Sequence, residues 1–294
     1  MFRIIIFICF GIFALYAKGT VTVSILPQQY MVEKIAGDTV DVLTMVSPNA
    51  NHETYEPKPS QMKLLAKSDI YFAIGLPFEK AWLDKFIAVS PKISIVDVGV
   101  GIEKIELIGH NHEHHDEHAD HEDEDDVEHD ANHDDELDPH IWLDPALIKV
   151  QSKTIADALS LKYPQNTALY TKNYENFAKE MDKLDTKLSK KLDALKNRSF
   201  FVFHPSWGYF AKRYGLEQIF VEVEGKEPKA AELIEIVKKA KTKNIKALLI
   251  EPQISERNAK IVADEVGIKL IKVDPMKKDL SKNLDELADI LLGL

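Results

Sequence analysis

Histidine and acidic residues are concentrated in one stretch of this 294-residue chain, between residues 110 and 138. The stretch holds 15 Asp and Glu residues and eight histidines, with no Lys or Arg. Because imidazole and carboxylate groups both bind divalent metal ions, this composition indicates metal binding. The eight histidines are His110, His112, His114, His115, His118, His121, His129 and His133. We expect weak auxiliary metal sites here, and a solvated spacer with incidental affinity for metal is the alternative.

A second set of candidate ligands lies outside that stretch, where apolar segments stop. The candidates are His52, His140, His204, Glu251 and Asp274. The last three each stand between an apolar run and a proline, whereas His140 follows a proline and His52 lies in a turn-forming loop. Three neutral imidazoles and one carboxylate match the ligands of a tetrahedral zinc site. Each candidate also has a structural interpretation: a loop histidine can be solvated, Asp274 can cap a turn, and Glu251 can bind backbone amides.

The elements that would position these residues alternate between strand and helix on both sides of the acidic stretch. Strand patterns occur at residues 20–26, 38–46, 70–74, 93–98, 199–203, 218–223, 245–250 and 270–273. Such alternation predicts mostly parallel sheets with helices on both faces, and these sheets bind ligands at the carboxyl ends of their strands. The predicted fold class is therefore α/β, with two doubly wound α/β domains and a metal site in the cleft between them.

One long helix is predicted to join the two domains. From about residue 165 to residue 195, apolar side chains recur at spacings of three and four without an intervening Gly or Pro. A helix of about 30 residues is roughly 45 Å long, which suits a rigid connector. We predict an N-terminal domain over residues 18–163, a connecting helix over 164–197 and a C-terminal domain over 198–294. Residues 110–137, with few apolar side chains, are predicted to form a disordered loop within the first domain.

The net charge of −11 originates in the acidic stretch. Without residues 110–138, the rest of the chain carries a net charge of +4. Neither half therefore has the charge pattern that would indicate a nucleic acid or a membrane surface as a partner.

The N-terminal segment, residues 1–17, is typical of a cleavable secretory signal. Arg3 provides its positive end, and residues 4–16 form an apolar run that is too short for a bilayer span, which needs about 20 residues. We predict cleavage after Ala17 and therefore export. Cys9, the only cysteine, lies within this segment, so the mature chain would have neither a disulfide nor a thiolate ligand.

Several linked motifs resemble those of the metal-binding solute receptors of ABC importers, in particular the zinc-uptake, ZnuA-type group. The motifs are HETYEP at residues 52–57, DPHIWLDP at 138–145, HPSWGYF at 204–210, EPQIS at 251–255 and VDP at 273–275. The resemblance covers nearly the whole chain after the signal, and the acidic histidine-rich stretch falls between the first two motifs, as it does in the family.

The resemblance implies a ligand set for zinc. It implies His52, His140 and His204 as ligands, with a carboxylate or water in the fourth place. Asp274 falls on the family's usual aspartate position, and Glu53 is a further candidate for filling or shielding the open place. Glu251 would support the site from behind the ligands.

The resemblance also implies a function. The protein would capture Zn²⁺ in the periplasm as a monomer and deliver it to a membrane permease driven by a cytoplasmic ATPase, without catalysis. Manganese receptors of the family have Glu where His204 stands, so His204 favours zinc. A receptor for manganese or another divalent metal is the alternative within the family. Binding is expected to weaken at about pH 6, as the histidines become protonated.

Two other classes of function compete with a receptor. Three histidines with an open coordination position also describe a catalytic zinc centre. The chain lacks a His-Glu-x-x-His helix, a Gly-x-Ser-x-Gly elbow and a glycine-rich phosphate loop, which disfavours a zinc hydrolase. A metal-dependent adhesin or metal buffer would depend on the acidic stretch instead of the cleft.

Overall fold

The computed structural model describes residues 18–107, 137–222 and 228–294. The first lobe contains a four-stranded parallel sheet with the strand order β2-β1-β3-β4. Its strands are β1 (Gly19–Val23), β2 (Val40–Thr44), β3 (Ile70–Ala73) and β4 (Ser94–Asp97). Its helices are α1 (Leu26–Ala36), α2 (Pro59–Leu65), α3 (Pro77–Val89) and α4 (Pro145–Lys162). Each strand leads into a helix or loop at the same edge of the sheet.

The second lobe repeats this plan. Its parallel sheet has the order β6-β5-β7-β8, which corresponds to the order in the first lobe strand by strand. The strands are β5 (Ser199–Val202), β6 (Glu217–Phe220), β7 (Ala247–Ile250) and β8 (Lys269–Lys272). The helices are α6 (Gly208–Tyr214), α7 (Ala230–Thr242), α8 (Glu256–Val266) and α9 (Leu280–Leu292). The predicted α/β class with two parallel sheets is confirmed.

The central strands explain why both faces of each sheet are covered. Every residue of β3 (IYFA) and of β7 (ALLI) is buried. A strand that is apolar on both faces is stable only between two layers, so helices must pack on each side of the sheet. Short strands of this kind end together and expose their carboxyl ends at one edge.

A long helix, α5 (Thr167–Leu192), lies between the two lobes in the chain. Its 26 residues span about 39 Å, slightly less than the predicted helix. Its buried side chains lie on one face, at spacings of three and four: Tyr170, Phe177, Met181, Leu184, Leu188 and Leu192. This face packs against α1, α4 and α9, so the helix contacts elements of both lobes. The predicted domain boundaries stay a prediction.

One hydrophobic cluster runs through both lobes. It includes residues of the first sheet, the buried face of α5, the apolar face of α9 and the inner face of β5 and β7, where Phe200 and Leu249 lie. A second cluster fills the outer face of the second sheet, with Phe201 and Leu248 against α7 and α8. Within the described ranges, no helix combines the length and the apolar composition of a membrane span.

Candidate metal centre

Three buried histidines from separate parts of the chain converge where the two lobes meet. His52 lies in the loop after β2, His140 precedes the helical turn that leads into α4, and His204 follows β5. Their exposed fractions are 1%, 0% and 5%. One ring nitrogen of each lies within 4.8 Å of the others, and no other set of three His, Cys, Asp or Glu residues in the described ranges comes together in this way.

The spacing of two of these rings suits a shared cation. The Nε2 atoms of His52 and His140 are 3.2 Å apart. Two nitrogens bound to a tetrahedral zinc ion at about 2.0 to 2.1 Å lie about 3.3 Å from each other. Without a cation, one neutral imidazole can donate a hydrogen bond to the other at this distance. The pair therefore already has the separation of one edge of a zinc tetrahedron.

A buried carboxylate fixes the ring of His140. Asp138 Oδ1 accepts a hydrogen bond from the His140 backbone N–H at 2.8 Å and lies 2.7 Å from His140 Nδ1. Because Nδ1 is engaged, Nε2 is the nitrogen left for a metal ion. Burial lowers the pKa of His140 to about 3 and raises the pKa of Asp138 to about 7. The His140 ring is therefore neutral at physiological pH.

His204 lies in a negatively charged environment. Its Nδ1 is 2.7 Å from Glu222 Oε2, and its Nε2 is 3.4 Å from Glu53 Oε1. Burial opposes protonation of this ring, but the hydrogen bond to Glu222 and the charges of Glu251 and Glu53 outweigh burial and raise the pKa of His204 to about 9. The metal-free ring therefore carries a proton at neutral pH, and a metal ion must displace that proton.

In the part of the chain that the structure describes, His52 has no carboxylate partner comparable to those of the other two rings. Its Nδ1 is buried without a hydrogen-bond partner among the described residues. Its ring meets those of His140 and Trp142 edge-on, with centroid distances of 5.3 and 6.0 Å. Burial, followed by the nearby charges of His140 and His204, lowers the pKa of His52 well below its usual value. This ring is neutral and is held by packing.

Asp274 and Glu53 both lie outside the cluster of three histidines, and they differ in the contacts that they make. The Asp274 carboxylate accepts a hydrogen bond from the Met276 backbone N–H at 2.9 Å and lines a cavity of about 60 Å³ beside the loop at residues 46–50. It is not part of the histidine cluster, and burial raises its pKa. In this structure the Asp274 carboxylate caps a turn. Its role as a zinc ligand stays a prediction. Glu53 is the carboxylate that approaches His204 Nε2.

Glu251 lies behind His204 at the end of β7. It accepts hydrogen bonds from the Ser206 hydroxyl and the Gln253 side-chain amide. Burial raises the pKa of Glu251 to about 7, whereas the nearby charge of His204 opposes this rise. Its partners are side chains, not the backbone amides that the sequence suggested.

The indole of Trp142 joins the two lobes beside the site. The ring is fully buried, lies 5.1 Å from the His140 ring between centroids, and donates a hydrogen bond from Nε1 to the carbonyl of Pro275 at 2.9 Å. The His140 segment is thereby attached to the turn after β8.

The eight histidines of the acidic stretch lie outside the described residues, as does the predicted signal at residues 1–17. Their proposed auxiliary sites and the cleavage after Ala17 stay predictions.

Comparison with known proteins identifies the family. A family model described as ZnuA, zinc-uptake complex component A periplasmic, matches residues 21–291. The chain belongs to this family. The ZnuA-type resemblance of the motifs is therefore confirmed.

Individual members of the ZnuA family match over most of the chain. A crystal structure of ZnuA and one of a zinc-bound ZnuA deletion mutant are each 38% identical to this chain, with TM-scores of 0.83. They cover 94% of this chain, and the match covers 99% and 97% of theirs. A putative metal-binding protein of Chlamydia muridarum is 25% identical over 99% of this chain and its own full length. The zinc-binding protein AdcA of Streptococcus pyogenes is 28% identical over 88% of this chain and 51% of its own length.

Sequence reasoning missed two carboxylates of this ZnuA-family site. Asp138 is counted in the acidic stretch and opens the motif at residues 138–145 without a role in the site, and Glu222 is not among the candidates, yet each lies 2.7 Å from the Nδ1 atom of a cluster histidine. A signal for Glu222 exists in the sequence. Glu222 stands two residues after the end of β6, and His204 likewise stands two residues after the end of β5.

Proposed function

We propose that this chain is an exported receptor that binds Zn²⁺ between its lobes and delivers it to the membrane permease of an ABC importer, which a cytoplasmic ATPase drives. The observation that carries the proposal is the cluster of three buried imidazoles, His52, His140 and His204, whose ligand atoms lie within 4.8 Å of one another. The zinc-uptake family and the zinc-bound ZnuA relative support zinc as the ion. Catalysis is not part of the proposed function.

The donor set favours zinc over manganese. Imidazole nitrogen suits zinc, whereas manganese prefers oxygen donors. We propose Glu53 as the fourth ligand, because its Oε1 atom is 3.4 Å from His204 Nε2. Asp274 is the alternative, and it would have to give up its hydrogen bond to the Met276 N–H.

Charge around the site supports tight binding. After His204 loses its proton, three neutral rings and one carboxylate surround the doubly charged ion. Asp138 and Glu222 hold the Nδ1 atoms of two of the rings. Such outer carboxylates fix the orientation of the rings and make them stronger ligands.

Release in the proposed cycle uses small movements of the second lobe or of a loop. The helix α5 and the hydrophobic cluster shared by both lobes oppose a wide hinge opening. A monomer in the periplasm, delivering one ion at a time, is the form of the protein that we propose.

Metal analysis and competitive zinc titration of the wild type and a His140→Ala variant test the proposed function. The wild type should hold one tightly bound zinc ion. His140→Ala should lower zinc affinity by more than about 100-fold, because removal of a residue that only hydrogen-bonds to a ligand already costs about 10- to 100-fold. His133→Ala, in the acidic stretch, is the matched control and should keep the tight site. Wild-type affinity in His140→Ala would refute the assignment of the cleft.

A further inference from the structure

A tyrosine of the second lobe is inserted into a backbone pairing of the first. Ile105 and Asp138 face each other on antiparallel segments next to the bridge between Glu106 and Leu137. The Asp138 N–H donates to the Ile105 carbonyl at 2.8 Å. In such a pair the Ile105 N–H would normally donate to the Asp138 carbonyl. Here the Tyr209 hydroxyl lies between them, because it accepts from the Ile105 N–H at 3.2 Å and donates to the Asp138 carbonyl at 2.9 Å.

The Tyr209 hydroxyl holds the backbone of Asp138, which is the residue that orients the His140 ring. Asp138 holds His140 by its backbone N–H and by Nδ1, through a single carboxylate oxygen. The backbone of Asp138 is in turn held on one side by Ile105 and on the other by Tyr209. Tyr209 is only 3% exposed, so water does not readily replace the hydroxyl.

The residue before Tyr209, Gly208, leaves space for the carboxylate of Asp138. A Cβ atom on Gly208 would lie 2.6 Å from Asp138 Oδ2 and 3.3 Å from the Ile105 side chain. Any larger side chain at residue 208 would therefore push the Asp138 carboxylate away from its position. Tyr209 thus holds the backbone of Asp138, and the absence of a side chain at Gly208 leaves room for the Asp138 carboxylate.

We propose that Tyr209 is a positioning residue for the metal site, acting through Asp138 on the ring of His140. The inference rests on the proposed function of the cleft. The segment at residues 204–209 then has two roles. It supplies the ligand His204, and through Asp138 it fixes the ring of His140, a ligand from the first lobe. A displacement of α6 moves both ligands at once.

A pair of phenylalanine variants on one helix tests this proposal. Tyr209→Phe keeps the ring and removes the hydroxyl. Tyr214→Phe is the matched control, because Tyr214 lies on the same helix as Tyr209, but its hydroxyl donates at 2.9 Å to Oδ1 of Asp185 on α5, which is not part of the cluster. We expect Tyr209→Phe to lower zinc affinity about tenfold in chelator competition and Tyr214→Phe to change it less than twofold, with similar losses in Tm. Equal affinity losses in both variants, or unchanged affinity in Tyr209→Phe, overturn the proposal.

A second measurement uses the metal-free protein and does not depend on zinc binding. The proton shared by His140 Nδ1 and Asp138 gives an NMR signal that can be assigned by its loss in His140→Ala. In Tyr209→Phe this proton should exchange with water at least about tenfold faster, as expected for a hydrogen bond that opens more often. An unchanged exchange rate overturns the positioning role. A wild type without a tight zinc site would refute the proposed function, and the NMR comparison would still decide the role of Tyr209.

Discussion

The raised pKa of His204 predicts that zinc affinity depends on pH in an unusual range. With a pKa of about 9, the metal-free ring is almost fully protonated at pH 7.5, so each bound zinc ion should displace about one proton. Competition from one such proton makes zinc affinity about eightfold higher at pH 8.5 than at pH 7.5. Three histidines with ordinary pKa values would change the affinity only about 1.3-fold over that interval. The pH interval from 7.5 to 8.5 therefore separates the two cases.

Chelator competition at pH 7.5, 8.0 and 8.5 measures this dependence, and calorimetry in buffers of different ionisation enthalpy counts the protons released. Glu222→Gln is the matched perturbation. Removing the carboxylate that binds Nδ1 at 2.7 Å should lower the pKa of His204 and flatten the pH dependence. A change in wild-type affinity of less than twofold between pH 7.5 and 8.5 would refute the reasoning, as would the release of no proton at pH 7.5.

The dependence should continue below pH 7.5 with a slope of at least one proton, because Asp138 and Glu251, whose pKa values burial raises to about 7, also become protonated there. His52 and His140 have lowered pKa values because they are buried, so they contribute little in mild acid. The proton on His204 alone should lower the affinity about 100-fold from pH 7.5 to pH 5.5, so the total fall should be at least that large, and unchanged affinity would contradict a histidine site. The contribution of His204 to the stability of the metal-free protein should change with pH in the opposite direction to zinc affinity. The folded-state pKa of His204 exceeds the unfolded value, so its contribution to the stability of the metal-free protein is present below about pH 6.5 and lost as pH rises through 9.

Three further outcomes are expected. Deletion of residues 110–137 should remove weak zinc sites but keep one tight site, measured by titration, and loss of the tight site would contradict the cleft assignment. Glu53→Gln should lower zinc affinity about tenfold and Asp274→Asn less than threefold, because only Glu53 approaches His204 Nε2; the reverse order would make Asp274 the fourth ligand. Small-angle scattering of metal-free and zinc-bound protein should give the same radius of gyration, and marked compaction on zinc binding would argue for a hinge.

The alternating pattern was enough to predict the fold class, and the ends of apolar runs placed His52, His140 and His204 among the candidates for the cleft. Their choice as the ligand set depended on the resemblance of the motifs to a known family. His204 follows a local rule, because parallel strands end at one edge, whereas His140 follows a proline. Glu222 follows the same rule, because it comes after the end of β6 as His204 comes after the end of β5. The contact between Tyr209 and Asp138 follows no such rule, because these residues are 71 positions apart. This contact depends on how α6 lies against the first lobe, which no local pattern in the sequence specifies.

Asp274 shows that a position at a strand end does not by itself identify a metal ligand. Its position at a strand end before a proline is the pattern of His204, but its carboxylate binds the Met276 N–H of its own turn. A short acidic side chain before a turn satisfies the turn's backbone amides readily. The sequence pattern selects residues near the cleft without distinguishing a ligand from a cap.

The shared hydrophobic cluster affects how long the protein survives. Because the inner face of the second sheet and the first lobe are buried against the same helices, α5 and α9, neither lobe can unfold without exposing apolar surface of the other. We therefore expect one cooperative transition. Zinc at 1,000 times its Kd would add about 4 kcal/mol to the free energy of that single transition. Proteases that cleave the unfolded chain would then remove the empty receptor much faster than the loaded one, even at bonds far from the cleft.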